Sequence, residues 1–339
     1  MALFFRKELE MSGFSQIIGR EDTVRHLQDA IRAGKVSHAY LLEGETGTGK
    51  LLMARTFAQA LQCRNMDGDC CGECPDCRQA EGKNHPDIIY ITHEKPGLIS
   101  VDEIRQQLVA DAAIRPYSGR YKIYIVEDAQ KMNPSAQNAL LKTLEEPPEY
   151  VVIMLLTNNA QGLLETIRSR CELIRLKPVR DDLVEKYLME HLQVPDYQAR
   201  LCLAFARGSI GRAMELAASD DFAQIRRTAL MVAARARDLD VQQLSAIVKE
   251  MAQFKVSIGD FLDILAVWYR DVLYFKATTK ADALIFREEL AQIRASARLS
   301  SYEGIETILC AIEKAKARIE ANVNFDLAIE LLFMTIKEN

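Results

Sequence analysis

A parallel α/β P-loop module followed by an all-helical remainder is the fold class that the sequence predicts, on three observations. Short, continuous apolar runs alternate with helical patterns through the first half. A glycine-rich stretch, Gly44-Glu45-Thr46-Gly47-Thr48-Gly49-Lys50, stands between one such run and a helix. After Pro178 the apolar runs stop, and helix follows helix to Asn339 with few Gly or Pro.

The runs are Ala39–Leu42, Ile88–Ile91, Ile123–Val126, Val151–Leu156 and Leu173–Leu176. Each reads as a strand buried on both faces of a parallel sheet. Helical patterns cover Glu21–Ala33, Leu51–Leu61, Val101–Asp111 and Ser135–Leu144. Strand alternating with helix implies right-handed parallel crossovers. Turn signals at Val194-Pro195-Asp196 and Gly208-Ser209-Ile210-Gly211 set off a compact helical piece before a longer helical unit. The expected domains are therefore 1–178, 179–217 and 218–339.

The chain has 339 residues and a net charge of -5, so it is not a basic nucleic-acid binder as a whole. The N-terminal stretch has no long apolar region before a small-residue cleavage site, which speaks against a secretory signal. No run of about eighteen apolar residues suggests a membrane span. The expectation is a cytoplasmic protein with reduced or metal-bound cysteines.

The loop fits G-x-x-x-x-G-K in the strand–loop–helix context that such loops need. Its backbone N–H groups and the following helix N-terminus make an anion site. Gly44, Thr46, Gly47, Thr48, Gly49 and Lys50 are the candidate phosphate-binding residues, with Lys50 reaching the outer phosphates. The next position should carry a hydroxyl for magnesium, and it is Leu51. Magnesium wants oxygen ligands in near-octahedral array, so Leu51 weakens metal support without touching the cradle. The third run ends in Glu127-Asp128, the inverse of the usual Asp-Glu order at such a strand end. A misplacement of about 1 Å costs on the order of a hundredfold in rate. The fourth run ends in Thr157-Asn158, and Asn158 is a candidate phosphate or water sensor. The expected site binds ATP or ADP with weak magnesium support.

Five of the eight cysteines fall between Cys63 and Cys77. Cys63, Cys71, Cys74 and Cys77 form C-x7-C-x2-C-x2-C, a spacing that closes a tetrahedron around a structural zinc ion. Cys70 is an alternative to Cys71, although only Cys71 keeps the two-residue rhythm. Cys171, Cys202 and Cys310 read as small buried residues. His85 reads as a loop residue, and Phe261, Leu265, Trp268 and Tyr269 as core or interface residues at helical spacing.

The ordered set of motifs resembles the bacterial clamp-loader AAA+ subunits. Its members are Phe14–Glu21, Ser37–Lys50, Asn138–Pro148 (NALLKTLEEPP), Leu155–Asn159, Ile167–Cys171 (IRSRC), Gly208–Ala217 and Leu265–Leu273. The resemblance implies an AAA+ module with a zinc insertion, a helical lid and a helical collar that joins subunits into a pentameric ring. It makes Arg170 an arginine finger for a neighbour's ATP and Arg212 a second sensor. A guanidinium offsets charge on a transferring phosphoryl group, and fingers supplied in trans contribute about a thousandfold or more. The implied partners are motor ATPase subunits and a clamp-opening subunit and, through the assembly, a sliding clamp and primed DNA. Within the family, Leu51 and the inverted Glu127-Asp128 pair point to a stator-like subunit of a DNA polymerase III clamp loader with little or no hydrolysis of its own. The alternatives are an active motor subunit or a stand-alone zinc-containing AAA+ protein.

Overall fold

The structure is a computed structural model that describes residues 13–339 except 66, 96, 207, 236–240, 252–257 and 322. The N-terminal stretch discussed above thus lies, up to residue 12, outside the described residues. The chain divides into two compact units, one of residues 1–192 with 207–212, the other of residues 193–206 with 213–339.

In the first unit, five strands form one sheet: β1 (Ala39–Glu43), β2 (Ile88–Tyr90), β3 (Lys122–Val126), β4 (Val151–Thr157) and β5 (Glu172–Arg175). All pairings are parallel, in the order β2-β3-β4-β1-β5. Each expected strand is present, within two residues at either end. β4 enters between β1 and β3, which sets the ends of three strands side by side. Glu43 of β1 is level with Thr157 of β4, and Val126 of β3 with Leu155.

Alternate residues of each strand feed two separate cores, as the two-residue period of a strand requires. Tyr40, Leu42, Ile123, Ile125, Val152, Met154 and Leu156 face one way. They meet α1 (Glu21–Arg32), α2 (Lys50–Gln62) and α3 (Pro75–Glu81), whose Leu27, Phe57, Leu61 and Ala80 fill that side. Tyr40 and Phe57 meet edge to face at 5.1 Å. Ala39, Leu41, Tyr124, Val126, Ile153 and Leu155 face the other way. There the cover is α4 (Val101–Ile104), a π-turn (Arg105–Val109), α5 (Ala110–Ala112), α6 (Pro134–Glu145) and α7 (Glu165–Arg168). Helix α8 (Asp181–Leu192) completes the unit.

The second unit is helical among its described residues. It holds α9 (Asp196–Ala206), most of α10 (Ile210–Ala218), α11 (Asp220–Arg235), α12 (Val241–Met251), α13 (Ile258–Thr278), α14 (Leu290–Leu299), α15 (Tyr302–Glu320) and α16 (Phe325–Glu338). Helix α13 packs against α11, α14 and α15. Phe261, Leu265, Trp268 and Tyr269 are all buried in its core. Asp271, fully buried on α13, accepts from the backbone N–H of Ile285 (2.8 Å) and Phe286 (2.9 Å) and so anchors the segment before α14. No described helix is long and apolar enough to cross a membrane.

Candidate functional site

The glycine-rich loop leaves β1 and enters α2, with Gly49 as the left-handed N-cap (φ 85°). The loop is held by groups from far along the chain. Arg20, just before α1, is 9% exposed and donates from Nη2 to the Thr48 carbonyl and from Nη1 to the Lys177 carbonyl, both at 2.7 Å. Burial pulls its pKa below the ordinary arginine value. Ser209, at the foot of α10, donates to the Gly47 carbonyl at 2.6 Å. Gly47 has φ +77°, and a Cβ there would stand 2.5 Å from Ser209 Oγ, so only glycine fits. Arg212 lies in the first turn of α10, its Cβ 3.7 Å from that same point. Thr48 is buried and donates to the Glu45 carbonyl at 2.7 Å, whereas Thr46 is exposed.

Lys50 folds back over the loop. Its Nζ donates to the carbonyls of Gly44 (2.6 Å) and Glu45 (2.8 Å). Burial lowers its pKa, against an opposing pull from Asp128. Leu51 is half-buried and packs on the core beneath α1–α3. The position that carries a metal-facing hydroxyl in the motif is here an apolar core contact.

Glu127 is exposed at the end of β3. Asp128 follows in the left-handed region (φ 50°) and is engaged by Lys131 Nζ (2.8 Å) and Gln130 Nε2 (3.2 Å). The hydrogen bond from Lys131 is the main cause that holds its carboxyl below the usual range. Thr157, not Asn158, is the buried polar end of β4, and its Oγ1 donates to Gln130 Oε1 at 2.8 Å. Asn158 is exposed. Gln130 thus links the end of β4 to Asp128.

Arg170 follows α7 and is partly exposed. Nη2 pairs with Glu145 at 2.9 Å, and Nη1 donates to the Thr166 carbonyl at 2.9 Å. The side chain makes a local surface ion pair in the isolated chain.

The sulfur atoms of Cys63, Cys71, Cys74 and Cys77 all lie within 4.8 Å of one another. Cys71 and Cys77 Sγ are 3.9 Å apart. A tetrahedron with metal–sulfur bonds of about 2.3 Å has sulfur–sulfur edges of about 3.8 Å. The donor set therefore fits a metal such as zinc. Backbone N–H groups of Cys71, Cys74 and Cys77 point at Cys63, Cys71 and Cys74 Sγ respectively, each at 3.4 Å. Cys74 is also the N-cap of α3, with Pro75 in the first helical position. Cys70 stands outside the group, in the apolar core, its thiol pushed up to about 12 by burial. His85 is in a loop but buried, and burial lowers its pKa. Cys202 is buried as expected. Cys171 is only partly buried and Cys310 is exposed, because it lies on an outer face of α15.

Sequence reasoning missed Arg20, Ser209 and Gln130. Arg20 and Ser209 do lie inside quoted motifs, but their partners are backbone carbonyls, which leave no mark in a sequence.

The family described as "DNA polymerase III, delta subunit" matches residues 19–180. The chain is 31% identical to the DNA polymerase III subunit delta' of Bacillus subtilis over 316 residues, covering 92% of this chain and 94% of that one. It is 27% identical to the subunit tau of Bacillus subtilis over 352 residues, covering 95% of this chain and 62% of the relative. A solved gamma-subunit-related protein of Thermotoga maritima aligns over 94% of this chain and 98% of its own, at 19% identity and a TM-score of 0.47. On the likeness to the delta' subunit, sustained over nearly the full length of both chains, the protein belongs to the DNA polymerase III delta-prime family of clamp-loader subunits.

Proposed function

We propose that the chain is a stator-like clamp-loader subunit that helps load a sliding clamp onto primed DNA and hydrolyses little or no ATP itself. The observation that carries this reading is Leu51, an apolar core contact where the motif needs a magnesium ligand. The phosphate cradle persists, so ATP or ADP binds with weak metal support. Asp128 is already engaged by Lys131 and Gln130, and Glu127 stands at the surface.

The chain's catalytic contribution is to a neighbour. Arg170 is the finger, and its present contacts are weak ones. A partly exposed ion pair contributes about 0–1 kcal/mol, so release from Glu145 toward a neighbour's phosphate costs little. Arg212 is the second sensor of the chain's own loop and Asn158 its strand-end sensor. Residues 1–178 form the AAA+ module, 179–217 the lid and 218–339 the collar. Cys63, Cys71, Cys74 and Cys77 hold a structural zinc ion. The fully protein-ligated set has no open position, so it supplies folding energy rather than reactivity. Motor and clamp-opening subunits of a pentameric ring are the partners, in the cytoplasm.

The test is ATP turnover by the matching motor subunits with this chain added as wild type, Arg170→Ala or Leu51→Thr. Arg170→Ala should abolish stimulation, by about a thousandfold at the affected site, while assembly stays intact by gel filtration. Leu51→Thr should change little. A silent Arg170→Ala together with a Leu51→Thr that raises turnover would establish the chain as a motor instead.

A further inference from the structure

Two buried connections lead from the cysteine cluster to one exposed loop. The first begins at Gln62, the last residue of α2 and the neighbour of Cys63. Gln62 Nε2 donates to the Tyr121 carbonyl at 2.6 Å, and Gln62 Oε1 accepts from the Tyr121 N–H at 3.5 Å. The fit is so close that a Cβ on Gly119 would stand 2.2 Å from Gln62 Oε1. The second begins at Asp76, the neighbour of Cys77. Asp76 is buried, accepts from Arg64 Nε at 2.6 Å, and has Oδ1 3.7 Å from His85 Nε2. His85 Nδ1 accepts from the Asp87 N–H at 3.1 Å. His85 Nε2 has no hydrogen-bond partner of its own, so Asp76 and His85 meet as a close buried pair. Asp87 is 1% exposed, and its carboxylate takes the N–H groups of Tyr117 (2.6 Å), Ser118 (2.8 Å) and Gly119 (2.7 Å).

The loop of residues 114–120 lies at the end of the Asp87 connection and leads into Tyr121, which Gln62 holds. Ile114 is 60% exposed and Tyr117 is 88% exposed. Asp87 holds the backbone of residues 117–119 and the Ser118 hydroxyl (3.3 Å), Lys122 Nζ donates to the Ile114 carbonyl (3.3 Å), and Gln62 holds the adjoining Tyr121.

We infer that the metal-bound cysteine cluster is the brace that orders the 114–120 loop, with Gln62 and Asp87 as its positioning residues. This rests on the reading of the cluster as a metal centre. Where a site forms only in the folded chain, metal-binding energy is folding energy. Among the described residues of 63–77 regular helix is limited to the start of α3, and the four sulfur atoms bring the two ends of the segment together. Removing the metal frees Cys63 and Cys77, and with them the adjacent Gln62 and Asp76. The loop then loses fixed ground under both supports.

The experiment is hydrogen–deuterium exchange on the full chain, as purified and after chelation, with metal content measured on the same samples. Amides of Tyr117, Ser118 and Gly119 should exchange roughly tenfold faster or more without metal, the factor set by losing one hydrogen bond to a charged group. A reference peptide in β4 should keep its rate. Gln62→Ala, with metal content unchanged, should speed exchange at residues 119–121 on its own. Metal present and lost on chelation, with loop exchange unaltered, would overturn the brace and leave the metal centre standing. A parallel rise in β4 would also overturn it, because the metal would then hold the whole unit. No metal in the purified chain would overturn the metal centre and the brace together.

Discussion

Replacing Arg20 by Met removes a buried fork of two hydrogen bonds and keeps an apolar stem. In the structure the guanidinium joins Thr48 of the phosphate loop to Lys177, the carbonyl just beyond β5, at 2.7 Å on each arm. A hydrogen bond to a charged group contributes about 1.5–3 kcal/mol, so two give about 3–6 kcal/mol. Burying the cation offsets part of this, in keeping with the lowered Arg20 pKa. The expected net loss is about 2–4 kcal/mol in the unfolding free energy of the first unit. Arg20→Lys keeps the charge but replaces a planar fork by a point donor, so it reaches one carbonyl and recovers about half. Urea denaturation followed by circular dichroism gives the stability, and amide exchange over residues 44–50 shows whether the loop itself loosens. An Arg20→Met chain within about 0.5 kcal/mol of wild type, with loop exchange unchanged, would refute the latch.

Three further outcomes follow from the same geometry. Cys71→Ser should lose bound zinc while Cys70→Ser retains it, as measured by atomic absorption; full retention in Cys71→Ser would displace that residue from the ligand set. Asp87→Asn should cost about 2–4 kcal/mol, because an amide oxygen replaces the carboxylate under three N–H donors. Burial pushes the Asp87 pKa up, but the N–H groups of Gly119, Tyr117 and Ser118 outweigh it and the folded value is depressed. Its stabilisation is therefore complete above the unfolded value of about 4 and is lost as pH falls through the folded one. The gap between wild type and Asp87→Asn should close in acid below about pH 4, and denaturation at stepped pH values would show a constant gap if the carboxylate were not responsible. Leu51→Thr should lower stability by about 1 kcal/mol through lost packing and leave the chain's own ATP turnover flat, which a phosphate-release assay checks.

The sheet was legible because strands buried on both faces must be apolar at every position, and Val151–Leu156 is apolar throughout. Strand order was not, since nothing in Leu41 or Leu155 says that β4 enters beside β1. The four-cysteine grouping was legible as a spacing, and that Cys70 stands apart from it became visible only when Cys70 proved to be a core side chain. Helix α3 escaped notice because seven residues of mixed polarity carry no periodicity, and its start depends on Cys74 as a cap. Asn158, the named strand-end candidate, is exposed, and Thr157 beside it is buried. Both are polar residues at a strand end, and only the pleat decides which one points inward. The roles of Arg20, Ser209, Gln62 and Asp87 were illegible for a shared reason: each bonds to backbone atoms many residues away.

That same set of backbone contacts bears on what a glycine-rich loop means here. Gly47 has no room for a side chain beside Ser209 and sits at φ +77°. Thr48 is fixed through its carbonyl by Arg20 and through its hydroxyl by Glu45. Lys50 has two carbonyl acceptors inside the loop itself. Each of these residues is engaged by packing or hydrogen bonding around the loop. The motif thus has a packing role of its own. At the next position the chain has Leu51, whose side chain packs on the core where the motif carries a hydroxyl for magnesium.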